Sequence, residues 1–161
     1  MRDNKAFVQA ENEGRAKALV ALNKTDLFKG EFDDYKVIPT NPSCKWDFEV
    51  RDNLTNELLA VVEVKDRKMS STDRRLVVGG AQLEAPKYLL LKDIAEDREI
   101  ISFYLCTFED GTFFMWNVAE CKGVTEDRRM CNKTTAVDSG KVEKHCYYLP
   151  MKNAEFKGVL A

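Results

Sequence analysis

The spacing of apolar positions switches period several times along this chain, and each switch marks an element. From Ala6 to Leu22 small and apolar residues recur at helical spacing with no proline inside, so that Phe7, Glu11, Gly14, Ala18 and Leu22 fall on one stripe of a predicted helix while Glu13 points elsewhere. From Trp46 the period falls to two. The runs Trp46–Val50 and Leu58–Lys65 predict strands, and the turn chemistry of Asp52-Asn53-Leu54-Thr55-Asn56 joins them into a hairpin. A turn centred near Thr55 sets Asp47 opposite Glu63. Alternation then places Asp47, Glu49 and Arg51 on one face with Leu59, Val61, Glu63 and Lys65, and Trp46, Phe48, Val50, Leu58, Ala60, Val62 and Val64 on the other, core-facing side. The Leu58–Val64 run is apolar enough to predict a strand buried on both faces.

Further on, Ser70-Ser71-Thr72 reads as a loop and Gly79-Gly80 as a break. A second helix is predicted from about Glu84 to about Glu96, with Pro86 tolerated in its first turn. Ile100–Phe108 predicts a strand, Glu109-Asp110-Gly111 a turn and Thr112–Val118 the return strand, which buries Phe113, Phe114 and Trp116 by alternation. Gly123–Gly140 is polar, with Arg128, Arg129 and Lys133, and is expected to form an extended loop or arm suited to contact substrate or a second subunit. His145–Leu149 has strand character that Pro150 ends. The expected fold class is α/β, a mixed sheet with helices on its faces.

With 161 residues and 44% hydrophobic content the chain can bury a sizeable core, and no linker divides it. One domain over 1–161 is expected, with a C-terminal extension from about residue 119. The net charge of −2 argues against a protein that coats nucleic acid nonspecifically. Local charge is different: Lys65, Arg67, Lys68, Arg74 and Arg75 follow one another just beyond the Glu63 strand, where a phosphate backbone would pass, although solvated charged loops have the same composition. Five cysteines without CxxC spacing, and an N-terminus lacking the uncharged apolar core of a signal peptide, point to reduced thiols in a cytoplasm. No stretch is apolar enough to span a bilayer. Cys121, Cys131, His145 and Cys146 match no standard zinc spacing and read as structural residues. A single histidine excludes two-histidine metal centres within this chain, leaving carboxylates and lysine for any catalysis.

Those carboxylates have a pattern. Two opposed acids repel unless something positive sits between them, and Lys65 offsets only part of the charge of Asp47 and Glu63. A divalent cation would supply the rest, with an ammonium beside an attacking water. Asp47, a spacer, and Glu63-Val64-Lys65 resemble the metal-site motif of the PD-(D/E)XK nuclease superfamily, with Trp46 standing where proline is usual. The resemblance covers roughly the first two-thirds of the chain. It implies a restriction-endonuclease-like core, an α-β-β-β-α-β mixed sheet flanked by helices, and Mg²⁺ or Mn²⁺ held by Asp47, Glu63, the carbonyl of Val64 and Glu11. Lys65 would be the catalytic lysine. From the helix after the third strand, Gln82, Lys87 and Tyr88 are candidate polar contributors, Lys87 foremost, and nucleic-acid contacts are expected from Arg67, Lys68, Arg74, Arg75, Gln82 and Lys87.

The expected activity is metal-dependent hydrolysis of phosphodiester bonds, most often DNA, in recombination, repair or phage DNA metabolism. Resolvases of this superfamily act as dimers, so a homodimer is an expected assembly. Two alternatives from other classes remain at this level: a nuclease-like fold that binds nucleic acid without cutting it, and a protein-interaction or inhibitor module.

Overall fold

The computed structural model describes residues 2–24, 28, 30–132 and 140–161, with side chains from Val8 onward except at residue 132. Its elements in order are α1 (Arg2–Leu22), β1 (Tyr35–Pro39), β2 (Phe48–Asp52), β3 (Leu58–Arg67), α2 (Arg74–Gly79), β4 (Ala81–Glu84), α3 (Ala85–Arg98), β5 (Ile101–Phe108), β6 (Thr112–Asn117), β7 (Thr125–Asn132), β8 (Lys141–Leu149), a 3₁₀ turn (Met151–Asn153) and β9 (Phe156–Val159). This is a mixed α/β architecture. The main sheet has the order β1-β2-β3-β5-β6-β9, and a second sheet runs β4-β8-β7.

The β2–β3 hairpin follows from its loop. The Asp52 carboxylate accepts the amides of Leu54 and Thr55 at 2.8 and 2.9 Å, and Asn56 takes the left-handed conformation (φ 63°) that asparagine tolerates better than most residues. Phe48 pairs with Val62, which leaves Asp47 just beyond, level with Glu63. A bulge between Val50 and Arg51 changes the register at the other end. It corrects the expected alternation: Leu59 packs into the core under α1 with Ala60 and Val62, whereas Leu58 joins the opposite core with Val61. Trp46, which precedes the regular strand, also packs into that opposite core rather than with Phe48 and Val50.

Both faces of the main sheet are covered. On one, Ala18, Ala21 and Leu22 of α1 close over Phe48, Val62, Phe103 and Leu105. On the other, Tyr88 and Leu91 of α3, with Leu83 and Leu149 of the second sheet, cover Val61, Tyr104, Cys106 and Trp116. β3 and β5 are parallel and α3 lies in their connection, so these central strands read as near-continuous apolar runs, Ser102–Phe108 being buried throughout. Phe113 and Trp116 of β6 face opposite cores, as their alternation predicts.

Gly14 is the close-approach point. A β-carbon there would lie 3.2 Å from Cβ of Asp66, so glycine allows α1 to settle on β3. Gly80 has a different role: φ of 89° and a virtual β-carbon 2.8 Å from the Leu149 carbonyl oxygen make it the residue that lets β4 leave α2 beside β8.

The C-terminal third differs from expectation. The polar segment 123–140 is not simply a loop: Thr125–Asn132 is β7, hydrogen-bonded along its length to β8, and Lys133 lies outside the described residues. The strand seen at His145–Leu149 begins at Lys141 and belongs to the second sheet, where it also pairs β4. β9 returns to the main sheet beside β6. No helix among the described residues is long and apolar enough to cross a membrane.

Candidate metal and phosphate site

At the open end of the β2–β3 hairpin the chain leaves two carboxylates where regular pairing stops. Asp47 stands just before β2, its amide donating to the Val62 carbonyl at 2.9 Å and its Oδ2 accepting the Val64 amide at 2.8 Å. Its side chain thereby caps β3 beyond the end of β2. Glu63 and Lys65 project from β3 toward the core that contains Val61 and Tyr104, by alternation. A cleft of about 250 Å³ collects Glu11, Glu13 and Arg15 from α1 with Asp47, Glu63, Val64, Lys65, Asp66 and Lys68. The proposed ligand set is thus assembled in one cavity.

Electrostatics around Glu63 are unusual for a strand acid. Burial, and next the charge of Asp47, push its carboxyl up to about 7 against the opposing pull of Lys87 and Lys65. Nζ of Lys87 lies 3.2 Å from Oε2 of Glu63, an ion-pair distance, but hydrogen-bonds the Lys45 carbonyl; Oε2 itself is buried without an aligned hydrogen-bond partner. Lys65 shifts the other way. Burial, and then the nearby Arg67 guanidinium, lower its ammonium pKa.

Arg15 is the residue that sequence reasoning passed over. Its Nη2 donates to Oδ1 of Asp47 at 3.1 Å and its Nη1 to the Thr40 carbonyl at 2.8 Å. The signal was present in the spacing, since Arg15 is four residues after Glu11 and therefore one turn along the same side of α1. Glu11 is exposed at the rim of the cleft, and Asp66, turned toward α1, is taken up by Lys17 at 3.0 Å and by the Thr107 hydroxyl at 2.8 Å. Glu49 pairs with Arg51 at 3.3 Å.

The expected nucleic-acid contacts divide. Lys68 and Lys87 line clefts, Arg74 is exposed, and Arg75 is exposed with its guanidinium on Asp73 at 3.0 Å. Arg67 is turned inward: its Nη2 bonds the Gln82 carbonyl and, at 2.7 Å, the Tyr104 hydroxyl. Although burial disfavours its charge, Tyr104 and Cys106 keep Arg67 firmly protonated. Its place is therefore corrected from a surface phosphate contact to an internal brace between β3, β4 and β5. The Gln82 amide nitrogen points at Cys146 (3.0 Å) and Cys131 (3.3 Å), while the Tyr88 ring stacks on Tyr147 at 4.1 Å.

The donor set can be tested against a divalent ion. Among the described residues no three His, Cys, Asp or Glu side chains converge into a cage. Mg²⁺ does not need one, because it keeps several waters and binds through one or two carboxylates plus substrate phosphate oxygens. Asp47, Glu63 and the Val64 carbonyl fit that mode, but Oε2 of Glu63 already meets the Lys87 ammonium at 3.2 Å and Oδ1 of Asp47 the Arg15 guanidinium at 3.1 Å, so an ion would compete with both cations. Comparison with protein-family models, with curated proteins and with solved structures returns no match for this chain.

Proposed function

We propose that the chain is a Mg²⁺- or Mn²⁺-dependent phosphodiesterase acting on nucleic acid, with DNA the expected polymer. The observation that carries this reading is the gathering of Asp47, Glu63, Val64 and Lys65 in one cleft, with the Glu63 carboxyl held near neutrality and one oxygen unaligned. The order of elements is compatible with it: α1, the antiparallel β1-β2-β3, then α3 and a β5 parallel to β3 run as the α-β-β-β-α-β succession expected of a restriction-endonuclease-like core, with α2 and β4 inserted between β3 and α3.

A bound divalent ion would be held by Asp47, Glu63 and the Val64 carbonyl, with Glu11 at the rim, and would polarise the phosphoryl group and acidify a water. The protein's own groups do the positioning. Lys65 sits one side chain along the same face of β3 from Glu63, suited to orient the attacking water and to offset charge growing on the phosphate oxygens. Its lowered pKa leaves Nζ unprotonated more often than in an exposed lysine, and so more often able to take a proton. The water oxygen bonds phosphorus as the bond to the leaving sugar oxygen breaks, the water proton passes to Lys65 or solvent, and the leaving oxygen is protonated from solvent. Lys68, Lys87, Arg74 and Arg75 supply positive charge along the backbone path.

The test is cleavage of labelled single-stranded, duplex, flap and four-way-junction DNA with Mg²⁺, Mn²⁺ or EDTA, using Glu63→Ala as control for contaminating nuclease. Metal-dependent cutting that vanishes in the variant is expected. No cutting of any substrate, with no metal-induced rise in thermal stability, would shift the reading to a noncatalytic binder.

A further inference from the structure

A second cleft, of about 470 Å³, opens on the other side of β3. It shares Glu63, Val64 and Lys65 with the first, so the two meet at the proposed reaction point. Its walls come from elements far apart in sequence: Arg75 from α2, Lys87 from α3, and Lys141 and Lys144 from β8, with Lys65 and Arg67 behind them. Five cations besides the inward-turned Arg67 therefore share one cavity with the carboxylates Glu63 and Glu84. Lys144 engages Glu84 at 2.7 Å, Lys87 engages Glu63 at 3.2 Å and Arg75 engages Asp73 at 3.0 Å, so the cations of the lining still outnumber the acids they meet. A cavity with that balance selects an anion.

Its size selects further. Roughly 300–1,000 Å³ is the range of pockets that take one small molecule, so this cleft has room for about a nucleotide and not for a base pair with its two backbones. Its lining draws on α2 and α3 and on all three strands of the second sheet, β4, β8 and β7. Met69 and Leu83 add apolar surface to the lining, which suits the face of an unpaired base.

We infer that this second cleft is a single-strand subsite that seats one unpaired nucleotide beside the scissile phosphate. The chain then acts on single strands, or on duplexes where they end in flaps and branches, and the second sheet is the wall that excludes a paired strand. This rests on the hydrolytic reading only for what lies next to the subsite.

Fluorescence anisotropy in EDTA, where no cutting intervenes, tests it with a labelled 12-nucleotide DNA, its blunt duplex and the same sequence as RNA. Wild-type protein is expected to bind the single strand at least ten-fold more tightly than the duplex; preference for either sugar supports the subsite and names the polymer. The double variant Arg75→Ala/Lys141→Ala, both solvent-facing positions, is expected to lose about ten-fold in single-strand affinity. Its log affinity against log salt should flatten by about 1.4, two single-strand phosphate contacts at roughly 0.7 each. Circular dichroism and melting temperature of the variant show whether its fold is intact. If it fails to fold, Lys141→Ala alone gives the same readout with a flattening of about 0.7. Equal or tighter duplex binding, or a folded variant with unchanged affinity and salt slope, overturns the subsite. Single-strand binding that depends on Arg75 and Lys141, with no DNA cut in the cleavage panel, keeps the subsite and removes the hydrolytic reading; cutting with no single-strand preference does the reverse.

Discussion

Arg15 holds Asp47 from α1, Nη2 to Oδ1 at 3.1 Å, on a carboxylate whose other oxygen is already bonded to the Val64 amide. Both groups are largely buried, with side chains 19% and 15% exposed, so the pairing is screened less than a surface ion pair. The guanidinium supplies the positive charge that Asp47 requires beside Glu63. A divalent ion would compete with it for the same oxygen. Arg15→Ala should therefore tighten Mg²⁺ or Mn²⁺ binding several-fold, read as a larger metal-induced rise in melting temperature, while costing the metal-free protein about 1–3 kcal/mol. Weaker metal binding in Arg15→Ala would instead make Arg15 the residue that orients Asp47 for the ion.

Glu63 gives a pH signature without any ion. Its proton is held to about pH 7 in the folded chain but released near 4.5 when exposed, so between those values the native state binds more protons and stability falls as pH rises. The contribution is fully present below about pH 4.5 and lost above about 7. Its size is on the order of 3 kcal/mol, from 1.36 kcal/mol per pKa unit. Glu63→Gln keeps the shape and removes the charge, and its urea stability in EDTA should lack this decline and exceed wild type at pH 8. Parallel pH profiles for the two proteins would show that Glu63 is ionised in the fold at neutral pH.

Lys65→Ala should reduce cleavage by two to four orders of magnitude, the range for a lost proton-transfer or positioning group, with a far-ultraviolet dichroism spectrum unchanged from wild type. Cleavage at the wild-type rate would remove Lys65 from the chemistry. Lys65→Arg separates charge from proton transfer, because guanidinium stays protonated, and it should remain defective.

Gly14→Leu places a side chain where a β-carbon already meets Asp66 at 3.2 Å. Helix propensity favours the change by up to about 1 kcal/mol, yet overpacking against β3 should outweigh it and lower stability by roughly 1–3 kcal/mol. Because α1 carries Arg15 and Glu11, the displacement should also weaken metal-induced stabilisation; retention of both properties would show that α1 can shift without disturbing Asp47.

Local chemistry was enough to read the hairpin from the sequence. Asp52 and Asn56 close the turn, period-two alternation orients Phe48 and Val62, and the turn centre then puts Asp47 level with Glu63. The α1 stripe was legible for the same reason: Gly14, Ala18 and Leu22 repeat at helical spacing and are buried. Alternation failed at Leu58 and Leu59, because a bulge adds one residue to one strand and reverses facing beyond it, and nothing in two adjacent leucines signals that. β7 was unreadable for another reason. Thr-Glu-Asp-Arg-Arg is exposed throughout, so its strand state rests on hydrogen bonds to β8 rather than on an apolar face.

What the sequence determined by itself is the set of features that depend on neighbours within a short stretch of chain: the turn, the helical stripe, and the acid and Glu-x-Lys that share one end of a hairpin. What only the tertiary structure decided is which distant charges meet. Arg15 reaches Asp47 across 32 positions, Arg67 turns inward to Tyr104 across 37, and Lys144 of β8 arrives at Glu84 across 60. Such pairings are fixed by the stacking of α1 and the second sheet on opposite faces of β3, and long-range packing of that kind leaves no period in the chain to read.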